Sequence, residues 1–263
     1  MIENTDDYVS LMTARARGRL PDMGCALRVA ELIAEMSPRT NTVDGRISVL
    51  DVGCATGHFL RTFIRRALPL RKYVGLEIDP AMVRAANEVW REELGSGAAE
   101  FINADLEHFA GGQTYDLVIC VNAFMYFASA KTALTKLMRA ARHRVIIRSY
   151  FTESTYRIVR AQTTRNHDKS QVDELAAFDD AGNILCYDFW NMYSFTYMEA
   201  LVRTIEPKAR AEWIEDKNVL SSLEEERKLN LQKRGATELL GRYEVSYPFI
   251  LPWKYLSIDV SAA

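Results

Sequence analysis

The chain has 263 residues, 48% hydrophobic and 26% charged, which excludes a disordered polypeptide and allows one large domain or two small ones. Its 33 Lys and Arg against 35 Asp and Glu leave a net charge of −2, so whole-molecule attraction to nucleic acid or to an anionic membrane is not indicated. Four cysteines (Cys25, Cys54, Cys120, Cys186), no two closer than 29 residues, argue against a disulfide scaffold or a zinc site and fit a reducing compartment.

The acidic start MIENTDDYVS is neither a secretory signal nor a transit peptide, and no run approaches the ~18 apolar residues of a membrane span. A cytoplasmic protein is expected. Residues 5–19 and 22–36 read as helices, the second with an apolar stripe at Ala26, Val29, Ala30, Ile33 and Ala34. The stretch 38–46 is a turn-rich connector. Ile47–Val52 reads as a strand, His58–Ala67 as a helix, Tyr73–Ile78 as a strand and Pro80–Leu94 as a helix ended by Gly95. Glu100–Asn103 is a weaker strand, Tyr115–Asn122 an apolar one. A helix follows near Ser129–Arg142, then a fifth strand, Val145–Tyr150. Strand–helix alternation with short links, and strands that are apolar without alternation, predict a doubly wound, mainly parallel sheet covered on both faces.

After Phe151 the rhythm stops. The pattern predicts a helix and then a hairpin around Ala181–Asn183, a helix at Phe195–Ile205, a sixth strand at Ala211–Glu215, a charged helix at Ser221–Leu240 and strand material at Tyr243–Val260 interrupted by Pro248 and Pro252. The division expected is a single domain: N-terminal helices at 1–45, a ligand-binding core at 46–151, a lid at 152–197, and C-terminal helices and strands at 198–263.

The chemistry is concentrated in VLDVGCATGH, residues 49–58. A buried strand runs into small residues and then into a helix. Gly53, Ala55 and Gly57 let the backbone approach a ligand, and the following helix points N–H groups at it. Glu77 ends the second strand, where an acidic residue accepts hydrogen bonds from both hydroxyls of a ribose. Asp105 follows the third strand, placed to receive an adenine amino group or to cap a helix. A dinucleotide would require G-x-G-x-x-G, whereas three residues separate Gly53 from Gly57; Asp51, two residues before Gly53, suits an ammonium better than a pyrophosphate.

In this order and spacing, VLDVGCATG, YVGLEID, NADLEHF and YDLVICVNAFMYF resemble the class I S-adenosylmethionine-dependent methyltransferases, strongly over residues 45–151. Ala55 departs from the family's G-x-G-x-G loop and narrows the space beside the methionine moiety. The resemblance implies a Rossmann-like methyltransferase fold with an antiparallel C-terminal strand, an N-terminal helical cap and a lid after the fifth strand. It implies S-adenosyl-L-methionine as cofactor and S-adenosyl-L-homocysteine as product. Asp51 and Gly53 would lie at the methionyl end, Glu77 on the ribose, Asp105 and Leu106 around the adenine, and Asn122 beside the sulfonium, with Ala55, Gly57 and Ile78 also binding the cofactor. Arg15, on one helix face with Tyr8 and Met12, would anchor the cofactor carboxylate or else belong to a solvated basic face.

For the acceptor, the sequence offers Tyr126, Arg148, Tyr150, Asn191 and Tyr193 as polar groups near the expected mouth, with Tyr126 and Tyr193 the candidate catalytic groups. The aromatic run YDFWNMYSFTY (187–197) forms either the wall of an acceptor pocket or the packing of a lid. His58, at a helix N-terminus that disfavours imidazolium, reads as packing. No metal spacing is present, and the state is monomer or homodimer. The expected function is O- or N-methylation of a small molecule; the alternatives are a methyltransferase acting on RNA or protein and a non-catalytic cofactor-binding module.

Overall fold

The chain enters through two helices, α1 (Thr5–Ala16) and α2 (Gly24–Met36). Then β1 (Ile47–Val52), α3 (His58–Arg65), β2 (Leu70–Glu77), α4 (Pro80–Val89), α5 (Arg91–Gly95), β3 (Ala99–Asn103), β4 (Tyr115–Val121), α6 (Ala130–Ala140) and β5 (Ala141–Thr152) follow. The computed structural model describes residues 5–36, 45–109, 113–161, 164–165, 172–173, 178–185, 187–216, 238–240, 243–246, 249–250 and 252–261. Beyond β5 come β6 (Tyr156–Ala161), β7 (Thr164–Arg165), β8 (Val172–Asp173), β9 (Tyr187–Ser194), α7 (Phe195–Ile205), β10 (Arg210–Glu215), β11 (Glu238–Leu240), β12 (Tyr243–Ser246), β13 (Phe249–Ile250) and β14 (Trp253–Asp259).

Every residue of β1 and β4 is buried, as strands without polar alternation require when helices cover both faces. These two form the middle of a sheet ordered β10-β14-β5-β4-β1-β2-β3. The strands β3, β2, β1, β4 and β5 are parallel, and β14 runs against both its neighbours, β5 and β10. This is the mainly parallel, Rossmann-like sheet expected, reversed strand included. On one face Val29 and Ile33 of α2 and Phe63 of α3 meet Val49, Tyr73 and Ile119. On the other, Leu134 and Leu137 of α6 and Met198 and Val202 of α7 meet Leu50, Val118 and Ile147. Each such side chain contributes about 1.5–3 kcal/mol by leaving water, the driving force that holds the layers together.

Tertiary contacts move several boundaries. The helix expected over 80–94 breaks at Trp90, whose buried indole donates to the Thr56 carbonyl at 3.0 Å and ties the break to the turn after β1. The fifth strand starts at Ala141 rather than Val145 because Arg142 is drawn to Asp116 (2.7 Å). Where a helix was expected after residue 152, the described residues form β6, which pairs antiparallel with β9; YRIVRA carries β-branched residues and no helical stripe. The hairpin near Ala181–Asn183 is present, closed by Phe178 against Ile184, with the Asp179 carboxylate accepting from the amides of Ala181 and Asn183. The charged helix expected at Ser221–Leu240 lies outside the described residues up to 237, and Glu238–Leu240 is strand.

At the N-terminal edge of the parallel strands, Asp116 gathers Ser48 N–H (2.7 Å), Ser48 Oγ (2.8 Å), Arg71 (3.0 Å) and Arg142 (2.7 Å). Burial pushes its carboxyl up, but the hydrogen bonds from Ser48 and Arg142 outweigh this and hold it below the usual carboxylate range. Asp116→Ala is expected to lower unfolding free energy by about 3–5 kcal/mol at pH 7, since it strands buried donors. A depressed folded-state pKa stabilises fully above the unfolded value near ~4 and loses that contribution as pH falls further. Urea unfolding at pH 7 and pH 3 should therefore show the gap between parent and variant narrowing in acid.

Candidate functional site

Three residues at the exit of β1 adopt left-handed backbone: Gly53 (φ +77°), Ala55 (+50°) and Gly57 (+76°). Gly53 has no alternative, because a Cβ there would stand 2.6 Å from the Cβ of Ala123; at Gly57 it would meet Phe101 at 2.6 Å and the Trp90 indole nitrogen at 2.7 Å. Ala55 holds the same sign of φ at a cost of about 1–2 kcal/mol. Its N–H donates to Glu77 Oε2 at 2.9 Å, while Glu77 Oε1 accepts from Asp79 N–H at 3.0 Å. The carboxylate is thereby fixed between the loop and the end of β2, with one lone pair on each oxygen uncommitted.

Asp51 is buried beneath this loop and accepts a short hydrogen bond from the Tyr73 hydroxyl. Burial, opposed by Tyr73 and reinforced by Glu77, pushes its carboxyl up to about 7. Helix α1 covers the loop: Met12 packs with Ala55 and Met82, flanked by Tyr8, Val9 and Leu11. Arg15 is buried, donates to the Pro21 carbonyl at 3.0 Å, and stands close enough to depress protonation of His58. Burial first, and Arg15 second, lower the His58 imidazole to about 3, so it is neutral and packed edge-on against Phe59. The Tyr8 hydroxyl is held above its ordinary range by burial, then by Tyr126 and Glu77, with Arg15 opposing.

On the β2–β3 side, Ile78 is 65% exposed, with its carbonyl held by Asn103 Nδ2 at 2.9 Å. Asp105 Oδ1 accepts from Glu107 N–H at 2.9 Å, which makes it a turn cap; Leu106 points into the core. On the other side Asn122 ends β4 in a left-handed conformation (φ +61°). Its Oδ1 accepts a short hydrogen bond from Arg148 Nη1. The Arg148 guanidinium is buried against Asp216 (2.6 Å) and lies 3.8 Å from the Trp253 ring. Tyr126 is 55% exposed on a single 3-10 turn (Phe124–Tyr126), and Tyr150 packs on Trp253 with ring centroids 4.3 Å apart.

Two expectations for the lid change. Asn191 is engaged throughout: Nδ2 donates to the carbonyls of Met125 (2.9 Å) and Phe127 (3.0 Å), and Oδ1 accepts from Arg157 (2.8 Å). It clamps β9 to the turn after β4 and has no donor left for an acceptor. Tyr193 lies on the same strand face, buried edge-on against Phe124, and burial pushes its hydroxyl up to about 12, which unsuits it as a base near neutral pH. Sequence reasoning missed Tyr73, Trp253 and Asp216. For Asp216 a signal existed: it directly follows the expected sixth strand, at the sheet edge where α/β proteins bind ligands. Among the described residues no cluster of His, Cys, Asp and Glu could hold a metal, and no helix is long and apolar enough to cross a membrane.

Residues 49–144 match the family described as a methyltransferase domain. Over this segment, from β1 into β5, the chain is similar to S-adenosylmethionine-dependent methyltransferases. Curated relatives include the malonyl-(acyl-carrier protein) O-methyltransferases of Acetivibrio thermocellus, 30% identical over 95 residues (36% of this chain, 32% of the relative), and Anoxybacillus flavithermus, 27% identical over 97 residues (37% and 36%). The match thus spans about a third of these relatives' length. The fold is shared with an amino pentose methyltransferase from Micromonospora echinaspora involved in calicheamicin biosynthesis (18% identity, TM-score 0.51, 93% of each chain). It is shared as well with the (4+2)-cyclase SpnF (14% identity, TM-score 0.52, 90% of this chain and 81% of that one). Similarity to a methyltransferase domain and a shared sheet leave the acceptor side to be argued from residues.

For the clamp, Asn191→Ala is expected to lower stability by about 1–3 kcal/mol, since it strands the buried Met125 carbonyl and removes partners from the half-buried Phe127 carbonyl and Arg157. Tyr193→Phe keeps the ring contacts and should change stability by about 1 kcal/mol or less. Thermal melts of the two variants, read side by side, check this contrast.

Proposed function

We propose that this protein transfers the methyl group of S-adenosylmethionine to a small-molecule acceptor, at oxygen or nitrogen, and releases S-adenosylhomocysteine. The observation that carries the reading is the Glu77 carboxylate, fixed by the Ala55 and Asp79 amides with a lone pair spare on each oxygen. That is the chemistry a ribose diol requires. The residues fit the cofactor elsewhere too. The buried Asp51 carboxyl is matched by an ammonium, exposed Ile78 offers an apolar face to an adenine beside Asp105, and buried Arg15 supplies a cation near the loop for a carboxylate. When bound, S-adenosylmethionine supplies an electrophilic methyl group on a sulfonium. The chain's own part is orientation and exclusion of water: α1 closes over the loop, Asn122 ends β4 at the methyl side, and Tyr126 presents its phenol at the mouth. The net charge of −2 supports a small acceptor over a nucleic acid. The names of the relatives cover an O-methyltransferase and an amino sugar methyltransferase, in keeping with an oxygen or nitrogen acceptor.

Glu77→Ala is expected to weaken S-adenosylhomocysteine binding by about 1.5–3 kcal/mol in calorimetry; an unchanged dissociation constant in the folded variant would remove Glu77 from the ribose. A second expectation concerns acid. Pairing with an ammonium requires Asp51 ionised, so binding releases a proton below its value of about 7. The dissociation constant should rise roughly fivefold from pH 7 to pH 6 and about tenfold per unit below that. His58, near 3, stays neutral over this window and does not contribute. Asp51→Asn should flatten the profile, and a parent protein whose affinity is level from pH 8 to pH 5.5 would place the ammonium elsewhere.

A further inference from the structure

Arg148 meets Asp216 in an unequal way. Its Nε and Nη2 both lie 2.6 Å from a single oxygen, Oδ2. An arginine and a carboxylate commonly pair fork to fork, one N–H to each oxygen. Here the second oxygen, Asp216 Oδ1, is buried and accepts no hydrogen bond, in a side chain only 2% exposed. The indole N–H of Trp253 is likewise buried without a hydrogen-bond partner. That ring lies 3.8 Å from the Arg148 guanidinium and 4.3 Å from the Tyr150 ring. An open acceptor, an open donor and an aromatic wall therefore surround one guanidinium. Buried polar atoms in native proteins are nearly always bonded, and an exception asks for a ligand or a role.

The place in the fold gives that role. Asp216 directly follows β10, Arg148 lies on β5 beside the last residue of β4, and Asn122, bonded to Arg148, follows β4. All are at the carboxyl edge of the parallel strands, where such sheets bind ligands. We propose that Asp216 Oδ1 receives the N–H or O–H of an aromatic acceptor whose ring stacks against Tyr150 and Trp253. This rests on the methyl-transfer reading for the word acceptor; the binding site itself does not. Arg148 balances the charge of Asp216, so the site selects a neutral donor, a phenol or an aromatic amine, over an ammonium. Trp253 lines it. Stacking on Arg148 and Tyr150 holds the indole with no hydrogen bond from its N–H, so the ring can swing to admit an aromatic molecule and stack on it.

Phenol and anisole make the test, since a methyl group replaces the hydroxyl hydrogen in anisole and removes the donor while the ring and the oxygen stay, and the variants below control for the added bulk. Ligand-observed NMR titrations of both, with the full-length protein and with S-adenosylhomocysteine present and absent, should give phenol a dissociation constant at least tenfold below that of anisole. Asp216→Asn places an amide N–H2 where Oδ1 stood, once the amide oxygen faces Arg148, and should erase the preference. Should that variant fold poorly, Arg148→Met with Asp216→Leu replaces the ion pair by apolar groups of similar size and should erase it equally. Equal affinities in the parent protein, binding of neither probe, or a preference that survives in the folded variants would overturn the proposal. Calorimetry with S-adenosylhomocysteine on the same samples separates the two readings. A phenol preference without cofactor heat would retain this site and sink methyl transfer; cofactor heat without a phenol preference would do the reverse.

Discussion

The site depends on a contact that tolerates no atom between its partners. With a Cβ at residue 53 lying 2.6 Å from that of Ala123, the exits of β1 and β4 can touch only because Gly53 lacks a side chain. That contact brings the glycine loop beside Asn122, which turns left-handed at the same rim. On the far side of β1, the Ala55 amide reaches Glu77 at the end of β2. On the far side of β4, Asn122 reaches Arg148 and through it Asp216, after β10. The carboxyl edge of the sheet is thus one chain of contacts from β2 to β10, built on a single missing methyl group. A ligand set into it is positioned by neighbouring strands whose spacing the sheet fixes at about 4.8 Å.

The two edges of the sheet use polar groups for opposite ends. At the amino edge Asp116 is saturated by Ser48, Arg71 and Arg142, and its carboxyl is held low. At the carboxyl edge Asp51 is held high by burial, Glu77 keeps a lone pair on each oxygen, and Asp216 keeps a whole oxygen unbonded. A buried acid with its hydrogen bonds complete stabilises the fold. A buried acid lacking them costs stability that a bound ligand can return. The same sheet is finished at one end and unfinished at the other, and the unfinished end is the one the proposed function uses.

How far this was legible in the sequence follows from the range of the interactions involved. β1 and α7 begin and end where hydrophobic pattern and caps place them, because the signals are local: a run closed by Gly53, and Ser194 capping the amide of Tyr197. The glycine loop and Glu77 were legible for the same reason, as one short motif and one strand end. The break at Trp90 was not, because it answers to Thr56, 34 residues away. Nor was β6, whose strand state depends on its pairing with β9. In the lid, the aromatic run was visible but its facing was not: alternation along β9 sends both Asn191 and Tyr193 to the side that packs on the Phe124–Tyr126 turn. Arg148 was read from the sequence as an acceptor-binding group, not as half of an ion pair. The partner, 68 residues on, became visible only with the fold.

The clamp at Asn191 bears on how the mouth is shaped. Asn191 holds the carbonyls of residues 125 and 127, and Arg157 holds that of Ala128 at 2.7 Å. The β6–β9 pair is therefore fastened to the backbone of the very turn that carries Tyr126. A shift of either element alone would break these bonds, of which the one to the Met125 carbonyl is buried with no water to replace it. Tyr126, 55% exposed at the end of that turn, is thereby tied through its backbone to the β6–β9 pair. Under the methyl-transfer reading proposed above, that pair would govern acceptor access through the backbone it grips, and not through its own side chains.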